Sequence, residues 1–538
     1  MNLNFNFNNP YTSTRIPLFA RNVVSTSHPL GAQAGLRMML KGGNAVDAAI
    51  ASAAAMTLLE PVSNGLGSDA FCILWDGKAL HGLNAAGCAP QSWTPDYFAR
   101  KYGSDQQTPP KRGIDSVTVP GAVSGWLALS ERFGKLPFAD LMEPAIDLAE
   151  RGYLVPPVVQ MKWAAARSEL QAQPGFAETF LPWGRAPDVG ELFRFKAAAR
   201  ALRAIAETRG AAFYGGEIAH AIEKFSTQNG GSITARDFEK FRPEWVTPIS
   251  NDYRGYTLHE IPPSGQGIAA LIALGILDRF DMASLSVDGA DSQHLQIEAM
   301  KLAFADTYRH VAESSCMEVT AAQMLDDNYL ASRAKLIDMK KAQDFGAGNP
   351  AKGGTIYLTA ADENGMMVSF IQSNYMGFGS GCVEPDFGIS LQNRGYGFSL
   401  QPGPNQVAPG KRPFHTIIPA FLTKDGQPVM SYGVMGANMQ PQGHVQTLVR
   451  MLDYQQSPQS ACDAPRWRFN AGVELNVESA MNPHTVEQLS ARGHRLAVIN
   501  DSYQDFGAAQ LIWRAGDPKV EGYLAASDAR RDGQAVGF

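Results

Sequence analysis

The chain has 538 residues, 45% of them hydrophobic and 18% charged, with 46 basic against 52 acidic side chains for a formal net charge of −6. Single domains usually run to about 100–200 residues, so this length allows two to four domains or one large multilayer fold. So sparse a charge excludes a disordered, solvated chain and a broad basic nucleic-acid footprint, and 52 glycines and 33 prolines exclude a long coiled coil.

Met1–Pro10 lacks a basic segment followed by an apolar one, so no secretory leader is read there and a cytoplasmic location is expected. Gly31 to Leu59 has helical composition, and from Asp47 onward small side chains lie on every face, which predicts a helix packed closely on both sides. Its apolar part carries Asp47 and is shorter than the roughly 18 residues of a membrane span, so no span and no membrane partner are predicted. Glu60-Pro61 ends the helix, Asn64–Asp69 is a glycine-rich turn, and Ala70–Trp75 reads as a buried strand. From Val119 to Glu313 the segments read mostly as helices, among them Phe138–Arg151, Ala197–Arg209, Glu217–Gln228 and Ala290–Glu313. Lys340–Gly354 is polar and glycine-rich and predicts a mobile exposed segment. Thr355–Gln372 then predicts two strands joined by a turn at Asp362–Gly365, with further strands at Ile417–Leu422, Val429–Gly433 and Ala508–Arg514 and helices at Pro441–Tyr454 and Pro483–Arg492.

The cysteines Cys72, Cys88, Cys316, Cys382 and Cys462 are scattered without a C-x-x-C pair, which predicts reduced thiols, mostly in the core, and no structural zinc site. The ten histidines form no close ligand pair, so metal catalysis has little support. No G-x-S-x-G elbow, H-E-x-x-H helix or Walker A loop is present. Gly65-Leu-Gly-Ser-Asp-Ala70 has the outline of a dinucleotide loop, but it follows a helix and precedes a strand, the reverse of what a pyrophosphate needs. His415 and His444 lie in Gly/Pro-rich loops, where function and packing both stay open.

What stands out is Gly353-Gly354-Thr355, where a polar linker meets a strand that begins with a hydroxyl residue. A threonine hydroxyl needs a base, and a threonine that becomes the first residue of a chain carries one in its own α-amino group. That amine has an ordinary pKa of about 7.7–8, so it can take and return a proton near neutral pH. The chain must then break at Gly354–Thr355, where glycines permit the strained backbone with which Thr355 reaches its own preceding carbonyl.

The chain resembles the γ-glutamyltransferase family of N-terminal-nucleophile hydrolases over nearly its whole length. The matching stretches include Lys41-Gly-Gly-Asn-Ala-Val-Asp-Ala-Ala49, Val119-Pro-Gly-Ala-Val-Ser-Gly125, Phe213-Tyr-Gly-Gly216, Pro262-Pro-Ser-Gly265, Gln296-Ile-Glu-Ala-Met-Lys-Leu-Ala-Phe-Ala-Asp306, Pro409-Gly-Lys-Arg-Pro413 and Ser527-Asp528. The resemblance implies an α+β fold, a four-layer αββα sandwich of the N-terminal-nucleophile hydrolase type. It implies a proenzyme that cuts itself into a large subunit, 1–354, and a small subunit, 355–538, which together form one domain. Thr355 falls on the family's nucleophile, Ser373 on the hydroxyl residue that supports it, and Gly436 and Ala437, within Gly433-Val-Met-Gly-Ala437, on the backbone donors for the oxyanion.

Departures from the family pattern bear on the substrate. The arginine that grips the α-carboxylate of a γ-glutamyl donor falls at Ala86, the acidic pair for its amino group near Tyr396-Gly397, and paired serines become His415-Thr416. Arg394 stands where the family has glutamine, and a planar guanidinium suits a small carboxylate held bidentately. Arg394, Asn374, Tyr375, His415 and Thr416 are therefore expected to line the substrate site. The chain is similar to the oxamate amidohydrolase and acylase-like branch, so the leading expectation is hydrolysis of oxamate to oxalate and ammonia, as in purine breakdown. A γ-glutamyltransferase or glutathione hydrolase with an altered donor site, and a non-catalytic proenzyme homologue, remain as alternatives. Neither metal nor other cofactor is expected, because activation and charge stabilisation both come from the protein. The expected partners are a small-molecule amide and the chain's own processed subunits, as an αβ heterodimer or two such units together.

Overall fold

The computed structural model describes residues 11–12, 15–346, 354–500 and 506–538. Two seven-stranded sheets form its centre. One runs in the order Leu18–Ala20, Tyr523–Ser527, Ala508–Arg514, Gln427–Met435, Ala420–Lys424, Tyr256–Glu260 and Ile249–Tyr253. The other runs Gln534–Gly537, Val23–Thr26, Gly354–Ala361, Met367–Tyr375, Asp69–Trp75, Leu80–Ala85 and Glu244–Val246. Every neighbouring pair in both sheets is antiparallel.

The sheets pack face to face through Phe71, Tyr357, Ile371, Phe421, Met435 and Ile512. Polar groups on the inner faces pair across the gap, Thr359 Oγ1 with Ser431 Oγ at 2.6 Å and Ser25 Oγ with Gln510 Oε1 at 2.7 Å, which satisfies hydroxyls otherwise costly to bury. Helices Pro29–Leu40, Ala45–Leu59, Ala122–Phe133 and Phe138–Arg151 share one apolar core with the outer face of the second sheet. Ile268–Leu277, Ala290–His310 and Met439–Leu452 do the same for the first. The four layers are the expected αββα sandwich.

The helix Ala45–Leu59 is buried along its whole length, as its small side chains predict, and Asn44 and Asp47 cap its start reciprocally. The expected turn at Asp362–Gly365 is present, with the Asp362 carboxylate accepting the amides of Asn364 at 2.9 Å and of Ala45 at 2.9 Å. The mostly helical stretch from Val119 to Glu313 also holds the strands Glu244–Val246, Ile249–Tyr253 and Tyr256–Glu260, whose apolar pattern is weak because most of their residues are exposed or half-buried. Cys72, Cys382 and Cys462 are buried, Cys88 is half-buried, Cys316 is exposed, and all five are free. Residues 347–353, which fall in the segment expected to be mobile, lie outside the described residues. No described helix is long and apolar enough to cross a membrane.

Candidate active site

Gly354–Ala361 lies between Val23–Thr26 and Met367–Tyr375, so Thr355 is the second residue of an interior strand. The ladder pairs Gly354 with Tyr375 and Ile356 with Gln372, and this break in register at Thr355 re-aims its side chain as a bulge does. Thr355 Oγ1 lies 3.1 Å from Ser373 Oγ. Ser373 Oγ donates to the Gly354 carbonyl at 2.8 Å and accepts the Tyr375 N–H at 2.8 Å. A hydroxyl has one proton, so with Ser373 donating to the carbonyl, the contact with Thr355 leaves Thr355 as the donor. Thr355, Ser373 and the carbonyl of the Gly354–Thr355 bond thus form one chain of contacts. A Cβ at Gly354 would stand 2.7 Å from the Val62 carbonyl oxygen and 3.0 Å from Ser63 Cα, so only glycine fits there.

Tyr375 has φ +76°, a left-handed backbone that costs a bulky residue roughly 1–3 kcal/mol and marks sites held by their surroundings. Its ring lies beneath Arg394, whose guanidinium carbon is 4.2 Å from the ring centroid. Arg394 is fully buried. Its Nη1 donates to Thr416 Oγ1 at 2.9 Å, while Nε and Nη2 have no partner among the described residues. Burial pulls its pKa down to about 10, against the opposing pull of Asp69, so it remains a cation at neutral pH. Arg394, Tyr375 and Thr416 therefore converge.

His415 and Asn374 are used otherwise. His415 Nδ1 accepts the Ile417 N–H at 3.4 Å, which leaves the ring proton on Nε2, 3.1 Å from Asp69 Oδ2. Burial and the nearby Arg394 hold its pKa well below the ordinary value, so the ring is neutral. The Asn374 side chain accepts the Ser68 hydroxyl at 2.8 Å and donates to Ser390 Oγ at 3.3 Å, which pins the glycine turn.

Gly436, with φ +118°, and Ala437, with φ +52°, follow the strand Gln427–Met435. Neither amide donates to a protein acceptor among the described residues, as an oxyanion loop requires. Gln266 Nε2 donates to the carbonyls of Thr416 at 2.6 Å and Ala437 at 2.9 Å, tying the two loops together.

Sequence reasoning missed Asp69 and Gln266. Asp69 is the one acid of the quoted turn Asn64–Asp69, and Gln266 directly follows the matched Pro262-Pro-Ser-Gly265. At Ala86, where the family arginine is absent, the carbonyl accepts Arg412 Nε at 3.1 Å; that cation is paired with Glu244 at 2.6 Å. The expectation that no histidines form a close pair is corrected: His294 Nδ1 and His494 Nε2 meet at 2.8 Å, with Glu298 beside them. They are 200 residues apart, beyond any spacing rule. Lys301 occupies Glu298 at 2.7 Å and the Asp338 carbonyl takes the other nitrogen of His294 at 3.0 Å, while His494 Nδ1 is buried without a hydrogen-bond partner among the described residues.

The sequence profile of the Gamma-glutamyltranspeptidase family matches residues 31–538. The chain superposes on the crystal structure of cephalosporin acylase from Bacillus halodurans with a TM-score of 0.93 and 47% sequence identity, covering 98% of each chain. It is 37% identical to the glutathione hydrolase-like YwrD proenzyme of Bacillus subtilis, over 96% of this chain and 98% of that protein. It is 35% identical to the oxamate amidohydrolase proenzyme of Klebsiella pneumoniae, over 95% of this chain and 97% of that one.

Proposed function

The chain belongs to the gamma-glutamyltranspeptidase family of N-terminal-nucleophile hydrolases, enzymes that act on amide bonds, and from that premise we propose that it is a self-cleaving proenzyme whose mature form hydrolyses a small amide bearing a carboxylate. The observation that carries the first half is the chain of contacts from Thr355 through Ser373 to the Gly354 carbonyl. In the uncut chain Thr355 Oγ attacks the Gly354 carbonyl carbon while Ser373 holds its oxygen. The C–N bond breaks, the hydroxyl proton ends on the Thr355 nitrogen, and water hydrolyses the resulting ester. The freed α-amino group then serves as the base of the mature enzyme. It takes the Thr355 hydroxyl proton, Oγ adds to the substrate carbonyl, and the Gly436 and Ala437 amides hold the oxyanion. Ammonia or an amine leaves with that proton, and water, deprotonated by the same amine, resolves the acyl-enzyme. No cofactor enters the scheme.

The substrate class rests on Arg394, a buried cation with two donor nitrogens, Nε and Nη2, unused among the described residues beside a stacked tyrosine. It supports a carboxylate close to the scissile carbonyl, with oxamate as the leading candidate, in keeping with the 35% identical oxamate amidohydrolase proenzyme. The 47% identity with the Bacillus halodurans cephalosporin acylase favours a second reading, in which the leaving group is a larger amine. A panel of small amides assayed on processed enzyme, oxamate and a cephalosporin amide included, with release of ammonia or amine as readout, separates the two. Rapid turnover of γ-glutamyl-p-nitroanilide instead would contradict both, since Ala86 supplies no clamp for a γ-glutamyl donor.

A further inference from the structure

Asp69 stands directly across the sheet from Ser373, and its carboxyl is fully buried. Oδ1 accepts the amides of Gly87 at 3.0 Å and Gly121 at 3.3 Å, and Oδ2 lies 3.1 Å from His415 Nε2. The charged and titratable groups that face it are Arg394, Arg412, His415, Cys88 and Tyr214. His415 is neutral, burial pushes Cys88 up to about 11 and Tyr214 higher still, and Arg412 is committed to Glu244. Arg394 forms no ion pair within 4.0 Å among the described residues, yet it is the cation whose field Asp69 feels most. Asp69 meets His415 at 3.1 Å and Arg394 meets the adjacent Thr416 at 2.9 Å, so the two opposite charges share one dry site without pairing and compete for the same compensation.

We propose that Asp69 is a specificity-determining residue that gates Arg394, so that an anionic substrate binds with uptake of one proton by Asp69. With Asp69 ionised, Arg394 is already neutralised and a substrate carboxylate adds an unmatched negative charge; with Asp69 protonated, Arg394 is an open receptor for that carboxylate. Burial raises the Asp69 pKa to about 7, so the exchange falls within the working range. The inference rests on the reading of Arg394 as a carboxylate anchor. It adds that the site selects anions by the pH of its surroundings and treats neutral amides differently.

The test compares oxamate, a carboxylate throughout, with oxamide, its neutral counterpart, on processed enzyme between about pH 5.5 and 9. The expected result is a KM for oxamate that climbs about tenfold per pH unit above about 7, as one coupled proton requires, with a KM for oxamide that stays flat. Titration of the Thr355 amine moves kcat for both and is thereby separated. Asp69→Asn should hold the oxamate KM near its low-pH value throughout. Calorimetry on the unaltered enzyme supplies a second arm that does not depend on the variant's fold: binding of oxalate at pH 8 in two buffers of different ionisation enthalpy should show uptake of close to one proton. A pH-independent KM for oxamate with no proton uptake overturns the role of Asp69 and leaves the carboxylate reading standing. Failure of oxamate and oxalate to bind at any pH overturns both.

Discussion

At the residue scale the site depends on hydroxyls and one cation held in fixed relation. Replacing Ser373 by Ala removes the donor to the Gly354 carbonyl and the acceptor for Thr355. Loss of one preorganised donor to a developing oxyanion costs about 100-fold or more, so Ser373→Ala should slow self-cleavage at least that much, while Ser373→Thr keeps the hydroxyl and most of the rate; a time course of the uncut band measures both. On the proposed carboxylate reading, Arg394→Met leaves a substrate carboxylate buried and unpaired, worth about 2–5 kcal/mol, so KM for oxamate should rise roughly 30-fold or more with processing unchanged. The sequence singles out Thr355 and Arg394 as candidates, the first from the linker-to-strand boundary together with the family resemblance, the second as a charge where the family has none. Asp69 was not legible there, because an acid in a glycine turn reads as an ordinary cap, and its meaning comes from His415 and Arg394, more than 300 positions away, which only the sheet brings near.

At the scale of elements, patterns with a strong period were the readable ones. Phe138–Arg151, Glu217–Gln228 and Ala508–Arg514 have the bounds that their apolar spacing predicts. The strands from Glu244 to Glu260 were not read, since exposed and half-buried residues interrupt their apolar alternation. The matched Ser527-Asp528 near the end of the chain has an architectural reason in the fold. Asp528 is buried, pairs with Arg466 at 2.8 Å and Arg530 at 3.1 Å, and accepts the amides of Ala509 and Arg530, each at 2.9 Å. Burial alone would raise its pKa, but these cations and amides outweigh it and hold the carboxyl below its ordinary value. A depressed acid stabilises the fold above its unfolded pKa, about 3.9, and the contribution is lost as pH falls below that. Asp528→Asn should therefore cost about 3–5 kcal/mol at pH 7, with the difference from the unaltered chain shrinking below about pH 4, as read from urea midpoints at each pH.

At the scale of the whole molecule, both sheets draw strands from either side of Thr355. Gly354–Ala361 pairs with Val23–Thr26, Met367–Tyr375 with Asp69–Trp75, and Ala420–Lys424 with Tyr256–Glu260. A cut before Thr355 leaves all these ladders in place, so the two products should travel as one species in gel filtration and part only in denaturant. Of the two organisations that 538 residues allowed, one large fold is the one observed. The measurement that bears most directly on the account is denaturing electrophoresis of the purified chain with N-terminal sequencing of the products, run beside Thr355→Ala. The account predicts two bands, the smaller beginning Thr355-Ile-Tyr-Leu358, and a single full-length band for the variant. A chain that stays whole on long incubation, or a variant that is cut at the same bond, would contradict it.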